Sequence, residues 1–170
     1  RLKNAEGFTS NELSFSNPIP HGTHSAKIMM TRFSDGNERF VHASDIQLLN
    51  EETIDFILDW KPTFLLCSGP ALYLHRLSEK QQKNAWYNAL RLADEIPIVI
   101  LDHHLCRNEK GLKFINKLNE QTKNSVICGA QFMNKLPRLL EAHREELYHD
   151  IPLPSFWHED FFAGKKSLKP

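Results

Sequence analysis

The pattern of apolar and polar positions changes period partway along the chain. Residues 1–12 are polar and read as a loop or the end of a hairpin. Leu13-Ser14-Phe15 alternates as a half-buried strand does, and Asn17-Pro18-Ile19-Pro20 stops it, because proline has no N–H for a ladder. Ala26 to Phe33 reads as a strand. Ser34-Asp35-Gly36-Asn37 reads as a hairpin turn, since Asp-Gly tolerates positive φ, and Arg39 to His42 is the return strand. From Asn50 the period becomes helical. Asn50 caps a helix with Glu51 and Glu52 in its first turn and with Ile54, Ile57 and Leu58 on one face; Lys61-Pro62 ends it. Thr63 to Cys67 is a buried strand followed by a Ser68-Gly69-Pro70 turn. Ser78 to Glu95 is a second helix, and Ile96 to Leu101 a second buried strand. A helix over 109–121, a strand from Ser125 to Cys128 and a last helix from about Gln131 to Tyr148 follow. Pro137 marks the first turns of that last helix or a kink in it. The tail from Ile151 reads as irregular chain.

A hairpin followed by alternating helices and strands predicts an α/β architecture, a mixed sheet with flanking helices. In such sheets, polar residues at the C-terminal ends of strands form sites. Asp45, Ser68 and Asp102-His103-His104 all fall there.

Composition narrows the function. The 170 residues suffice for one sizeable core, and 21 basic residues balance 21 acidic ones. That balance gives no broad electrostatic footprint for nucleic acid or an anionic membrane. No apolar run approaches the ~18 residues that span a bilayer. Three cysteines, Cys67, Cys106 and Cys128, show no metal-ligand spacing. Their odd number argues against a disulfide framework and fits a reducing, cytoplasmic compartment.

Four segments carry candidate chemistry. Ile98 to His104 is an apolar strand that delivers a carboxylate and two imidazoles to its rim, and such donors suit Zn, Mn or Fe. On an extended chain adjacent residues point to opposite sides, so one histidine would ligate while the other packs. Phe40 to Asp45 ends in small residues that present Asp45, whose carboxylate could bridge two metal ions; the bland alternative is a turn-capping Asp. Pro18-Ile19-Pro20-His21-Gly22 is a stiff loop presenting His21, which alone is more often an ordinary loop histidine. His24 is a weaker candidate. Cys67-Ser68-Gly69-Pro70, with Tyr73 and His75 beyond it, could line a pocket or form only a tight turn. Ser68 lacks the G-x-S-x-G setting of a nucleophile.

In order, these segments resemble the metallo-β-lactamase superfamily. Ser16 to Gly22, Val41 to Gln47, Ser68 to Leu74 and Leu101 to Arg107 look like a prokaryotic branch of predicted metal-dependent hydrolases within it, over roughly residues 11 to 145. The resemblance implies a four-layer α/β/β/α sandwich, of which residues 1–170 would supply the C-terminal half of a single domain. It implies a zinc site of two ions in the complete protein, with Mn or Fe as alternatives, and metal ligands at His21, Asp45 and His103 or His104. Asp45 would bridge the metals, His42 would orient a ligand or contact substrate, and Asp102 would orient an adjacent imidazole. The superfamily's H-x-H-x-D-H cluster is absent from these residues and is expected upstream of Arg1. A missing N-terminal half, in the same chain or a separate one, is therefore an expected partner. Alone, this half is expected to bind metal poorly and to be inactive. The reaction would be hydrolysis of a small-molecule substrate of ester or phosphoester type.

Two other readings stay open. DHH-type Mn-dependent phosphoesterases also place Asp-His-His at a strand end, but they need an aspartate-rich strand upstream, where Asp45 stands alone. A non-catalytic interaction subunit derived from the fold is the other, since fold does not fix function.

Overall fold

Three strand–helix–strand passages in succession set the architecture. The structure, a computed structural model, describes residues 5–22 and 26–165. Strand β1 (Leu13–Phe15) pairs antiparallel with β4 (Thr31–Ser34), which pairs antiparallel with β5 (Arg39–His42). From β5 onward, β6 (Phe64–Cys67), β7 (Ile98–Leu101) and β8 (Ser125–Ile127) run parallel to it and to one another. They form one six-stranded mixed sheet in the order β1-β4-β5-β6-β7-β8, and β2 (Ile19–Pro20) and β3 (Lys27–Ile28) form a separate ribbon. The α/β mixed sheet with flanking helices expected from the sequence is present.

Helices α1 (Glu51–Asp59), α2 (Glu79–Glu95) and α3 (Lys110–Asn119) make the three crossovers. The order β5 to β8 never reverses, so right-handed crossovers place all three helices on one face of the sheet. That face is the core. The register row Val41, Leu65, Val99, Val126 is at most 1% exposed, packed in one cluster with Ile54 and Ile57 of α1, Leu92 of α2 and Ile115 and Leu118 of α3. Burying each such side chain contributes about 1.5–3 kcal/mol. The helix starts follow the sequence signals. Asn50 Oδ1 accepts from the Thr53 N–H at 2.9 Å, and Ser78 and Gln81 form a capping box.

The other face of the sheet is not covered by α1, α2 or α3. Phe33, Phe40 and Phe64 are register neighbours there, with ring centroids 6.3 and 4.8 Å apart, and Phe132 continues the row at 6.4 Å. Phe33 and Phe132 remain 50% and 45% exposed.

Three expectations change. The strand expected from Ala26 to Phe33 is two strands, because at Met30 the chain turns into the core, where Ser16 Oγ accepts its N–H at 2.8 Å. The last helix is not continuous: α4 (Gly129–Phe132) stops before Asn134, whose φ is 54°, and α5 (Arg144–Asp150) starts afresh. Pro137 enforces the break, since it lacks an N–H and disfavours helical geometry at Leu136. The tail expected to be irregular holds α6 (Trp157–Phe162).

One buried amide ties the core to the loop after β5. Asn88 of α2 is fully buried and donates from Nδ2 to the Leu48 carbonyl at 2.9 Å. Leu48 itself sits at φ 63°, a conformation its side chain disfavours. Asn88→Ala would leave a buried carbonyl unpaired and is expected to destabilise the fold by about 1–3 kcal/mol. Urea denaturation measures this, and an unchanged midpoint would show that Leu48 needs no such tether.

Candidate metal centre

Parallel strands β5, β6 and β7 end side by side, so the loops that follow them share one rim of the sheet. The loop after β5 is bent tightly. Ser44 is at φ 32°, the Ile46 N–H donates to the Ala43 carbonyl, and buried Ser68 donates from Oγ to the Ile46 carbonyl at 2.9 Å. Ser44 Oγ lies 3.0 Å from Asp45 Oδ2. Ser68 is thus a tether for the segment that carries Asp45, a long-range role that its turn-like sequence setting does not announce. Strained backbone held by surrounding bonds is a common feature of functional loops.

After β7 the chain coils at once. The Cys106 N–H donates to the Asp102 carbonyl at 2.8 Å, His104 is helical at φ −81° and ψ −42°, and Leu105–Arg107 is a 3-10 turn. The expected opposite placement of the two histidines therefore fails, since it assumed extended backbone. Both turn to Asp45. His103 Nε2 lies 2.8 Å and His104 Nε2 3.3 Å from the same oxygen, Asp45 Oδ1. These three ligand atoms lie within 4.8 Å of one another. Imidazole nitrogen and carboxylate oxygen are ordinary zinc ligands, so these three residues could hold such an ion.

Burial separates the roles. The His104 side chain is 16% exposed and the His103 side chain 46%. Burial pushes the His104 imidazole below its ordinary pKa, with His103 and Arg107 acting in the same direction and Asp45 opposing. As pH falls through about 6.5 the unfolded chain takes up a proton before folded His104 does, so this group's contribution is full above that pH and lost on acidification. The hydrogen bond from His103 holds the Asp45 carboxyl below the usual carboxylate value. That contribution is present above the ordinary carboxylate range, lost below the lowered value, and small because Asp45 is 40% exposed.

The donor set fits a cation. A neutral His104 would carry one ring proton, and its Nδ1 is buried without a hydrogen-bond partner among the described residues. With the proton on Nε2, a lone pair is left buried at Nδ1. With the proton on Nδ1, the Nε2 lone pair faces a carboxylate oxygen already approached by His103. A cation held by Asp45, His103 and His104 would relieve that repulsion. Zn, Mn or Fe is served by such nitrogen and oxygen donors.

The remaining candidates are placed differently. Among the described residues the Asp102 carboxylate is hydrogen-bonded to no imidazole; its Oδ2 accepts from the Gly129 N–H at 2.6 Å, at the start of α4. His42 ends β5 on the face away from α1, α2 and α3, beside Phe40, and lines a cavity of about 460 Å³ with Ser44, Asp102, His103 and Phe132. His21 stands outside the three-residue group. Its carbonyl accepts from the Gln47 N–H at 2.9 Å, and its Nδ1 lies 3.0 Å from the Ala26 carbonyl. A bond from Nδ1–H to that carbonyl would present the Nε2 lone pair outward, the usual arrangement of a metal-binding histidine. His24 lies outside the described residues. Burial pushes both the Cys67 and the Cys106 thiol up to about 12, which suits packing groups and not thiolate ligands.

The molecule is thus an α/β protein with a mixed sheet and a carboxylate–imidazole group at the C-terminal rim of its parallel strands. It is similar to a UPF0282 protein of Methanosarcina mazei, 43% identical over 171 residues that cover 99% of this chain and 56% of that protein. It is also similar to the UPF0282 proteins of Thermococcus sibiricus, 35% identical over 86% of this chain and 51% of that one, and Thermococcus onnurineus, 34% identical over 81% and 46%. The chain spans about half the length of these curated relatives. No protein-family model and no solved structure matches it.

Proposed function

We propose that these residues belong to a metal-dependent hydrolase of the metallo-β-lactamase type and supply the C-terminal half of its α/β/β/α sandwich. The convergence of His103 and His104 on one oxygen of Asp45, at the rim of parallel strands, is the observation that carries this reading. The aromatic row along Phe33, Phe40, Phe64 and Phe132, whose ends Phe33 and Phe132 are 50% and 45% exposed, supports the half-sandwich, since a second sheet would bury it. The length of the relatives leaves room for such a segment.

Asp45, His103 and His104 would hold the metal, and His21, on the adjoining loop, would reach it through Nε2. When bound, zinc supplies Lewis acidity and an acidified water. The chain's own residues do the rest. The Ala26 carbonyl orients His21, Ser68 and Ser44 hold the Asp45 loop, and His42 faces the cavity where an ester or phosphoester would lie. The DHH-type alternative is weakened because the Asp102 carboxylate is already bound to the Gly129 N–H.

The test is a phosphodiesterase, esterase and lactamase screen on the zinc-loaded full-length protein, with chelator and with Asp45→Ala as controls. Activity is expected that both controls remove. Equal turnover by Asp45→Ala would eliminate the mechanism.

A further inference from the structure

We propose that Arg107 and Tyr73 form an oxyanion-binding arm beside Asp45, His103 and His104, and that this arm takes the phosphoryl group of a phosphoester substrate. The inference rests on the hydrolase reading and names its substrate class.

The placement follows from the 3-10 turn. In such a turn residues three apart eclipse one another, so Arg107 stands over the same side of the turn as His104. Tyr73 comes from the loop after β6, so the arm bridges two loops of one rim. Arg107 Nη1 donates to Tyr73 Oη at 3.1 Å, and the guanidinium carbon lies 5.8 Å from the Tyr73 ring centroid. These contacts hold the guanidinium plane while leaving further N–H groups of its fork free for a ligand.

No carboxylate pairs with Arg107 among the described residues, and Glu109, two positions on, faces His143 at 3.6 Å instead. Arg91, by contrast, is paired with Asp55 at 2.6 Å. His75 and Arg76 continue the Tyr73 loop and are exposed, adding basic character to the rim. A dication held by one carboxylate and neutral imidazoles leaves net positive charge, and an unpaired guanidinium one turn away adds to it. The two cations are compatible when an anion lies between them. A phosphoryl group has enough oxygens to face the metal and the guanidinium fork together, whereas a carboxylate has only two.

Inorganic phosphate is titrated calorimetrically into the full-length protein, zinc-loaded and zinc-free. Arg107→Ala is expected to weaken phosphate binding about tenfold or more, Tyr73→Phe a few-fold, and Arg107→Lys by an intermediate amount. Zinc affinity is expected to be the same in every variant, and acetate is expected to displace phosphate poorly. Equal phosphate affinity in wild type and Arg107→Ala overturns the inference. So does a protein that binds zinc but no phosphate, in which case the hydrolase reading survives. If the protein takes up none of zinc, manganese and iron, the hydrolase reading fails and the metal-free titration decides: Arg107-dependent phosphate binding retains the arm, and its absence removes it. Acetate binding as strong as phosphate binding overturns the phosphoryl assignment.

Discussion

Asp45→Asn is expected to lower zinc affinity by about 100-fold or more while leaving the fold nearly as stable as before. The two halves of that result have separate causes. Asparagine keeps the shape of the side chain and can keep the Ser44 contact, but it presents no negative charge where two imidazoles converge. Without metal, the Asp45–His103 hydrogen bond joins partly exposed groups, with side chains 40% and 46% exposed, and even a charged pair so exposed contributes about 0–1 kcal/mol. A purely structural Asp45 would therefore be worth little, and a metal-holding Asp45 would be worth much. Zinc titration together with urea denaturation separates these cases. Large destabilisation with unchanged zinc binding would assign Asp45 to the fold.

Gly111→Ala is expected to be the most damaging single-methyl change near the site. A Cβ at Gly111 would overlap the Leu105 carbonyl oxygen and lie 2.7 Å from its carbon. Both are backbone atoms, so no side-chain rotation can make room. The Leu105 backbone belongs to the turn between His104 and Arg107, and the Leu105 N–H donates to the Ser68 carbonyl at 3.0 Å. Overpacking of this kind costs about 1–3 kcal/mol and occasionally more. For a chain of this length about 3 kcal/mol corresponds to roughly 6–12 °C in Tm. Because the displaced turn carries His104, zinc affinity should fall as well. A Tm within 1–2 °C of wild type, on the same ~2–4 °C per kcal/mol scale, would show that α3 can shift away without strain.

What was legible in the sequence was local. Asn50 and Ser78 announce their helices because capping needs only a side chain and the next turn. The buried strands declare themselves as apolar runs, and a strand end predicts where Asp45 and the histidines sit. What was not legible depends on contacts far apart in the chain or on backbone dihedrals. The shared direction of His103 and His104 follows from helical dihedrals at His104 in place of extended ones. The role of Asp102 depends on Gly129, 27 positions away, and that of Ser68 on Ile46, 22 away. The break of the last helix was signalled by Pro137, but it begins earlier, where Asn134 adopts positive φ just past α4.

The most direct measurement is X-ray absorption at the zinc edge of the full-length, zinc-loaded protein, compared with His103→Ala and His104→Ala. Nitrogen and oxygen donors without sulfur are predicted, with one imidazole lost in each variant. An unchanged zinc shell in the two variants, or a shell containing sulfur, would contradict the assignment of the metal to Asp45, His103 and His104.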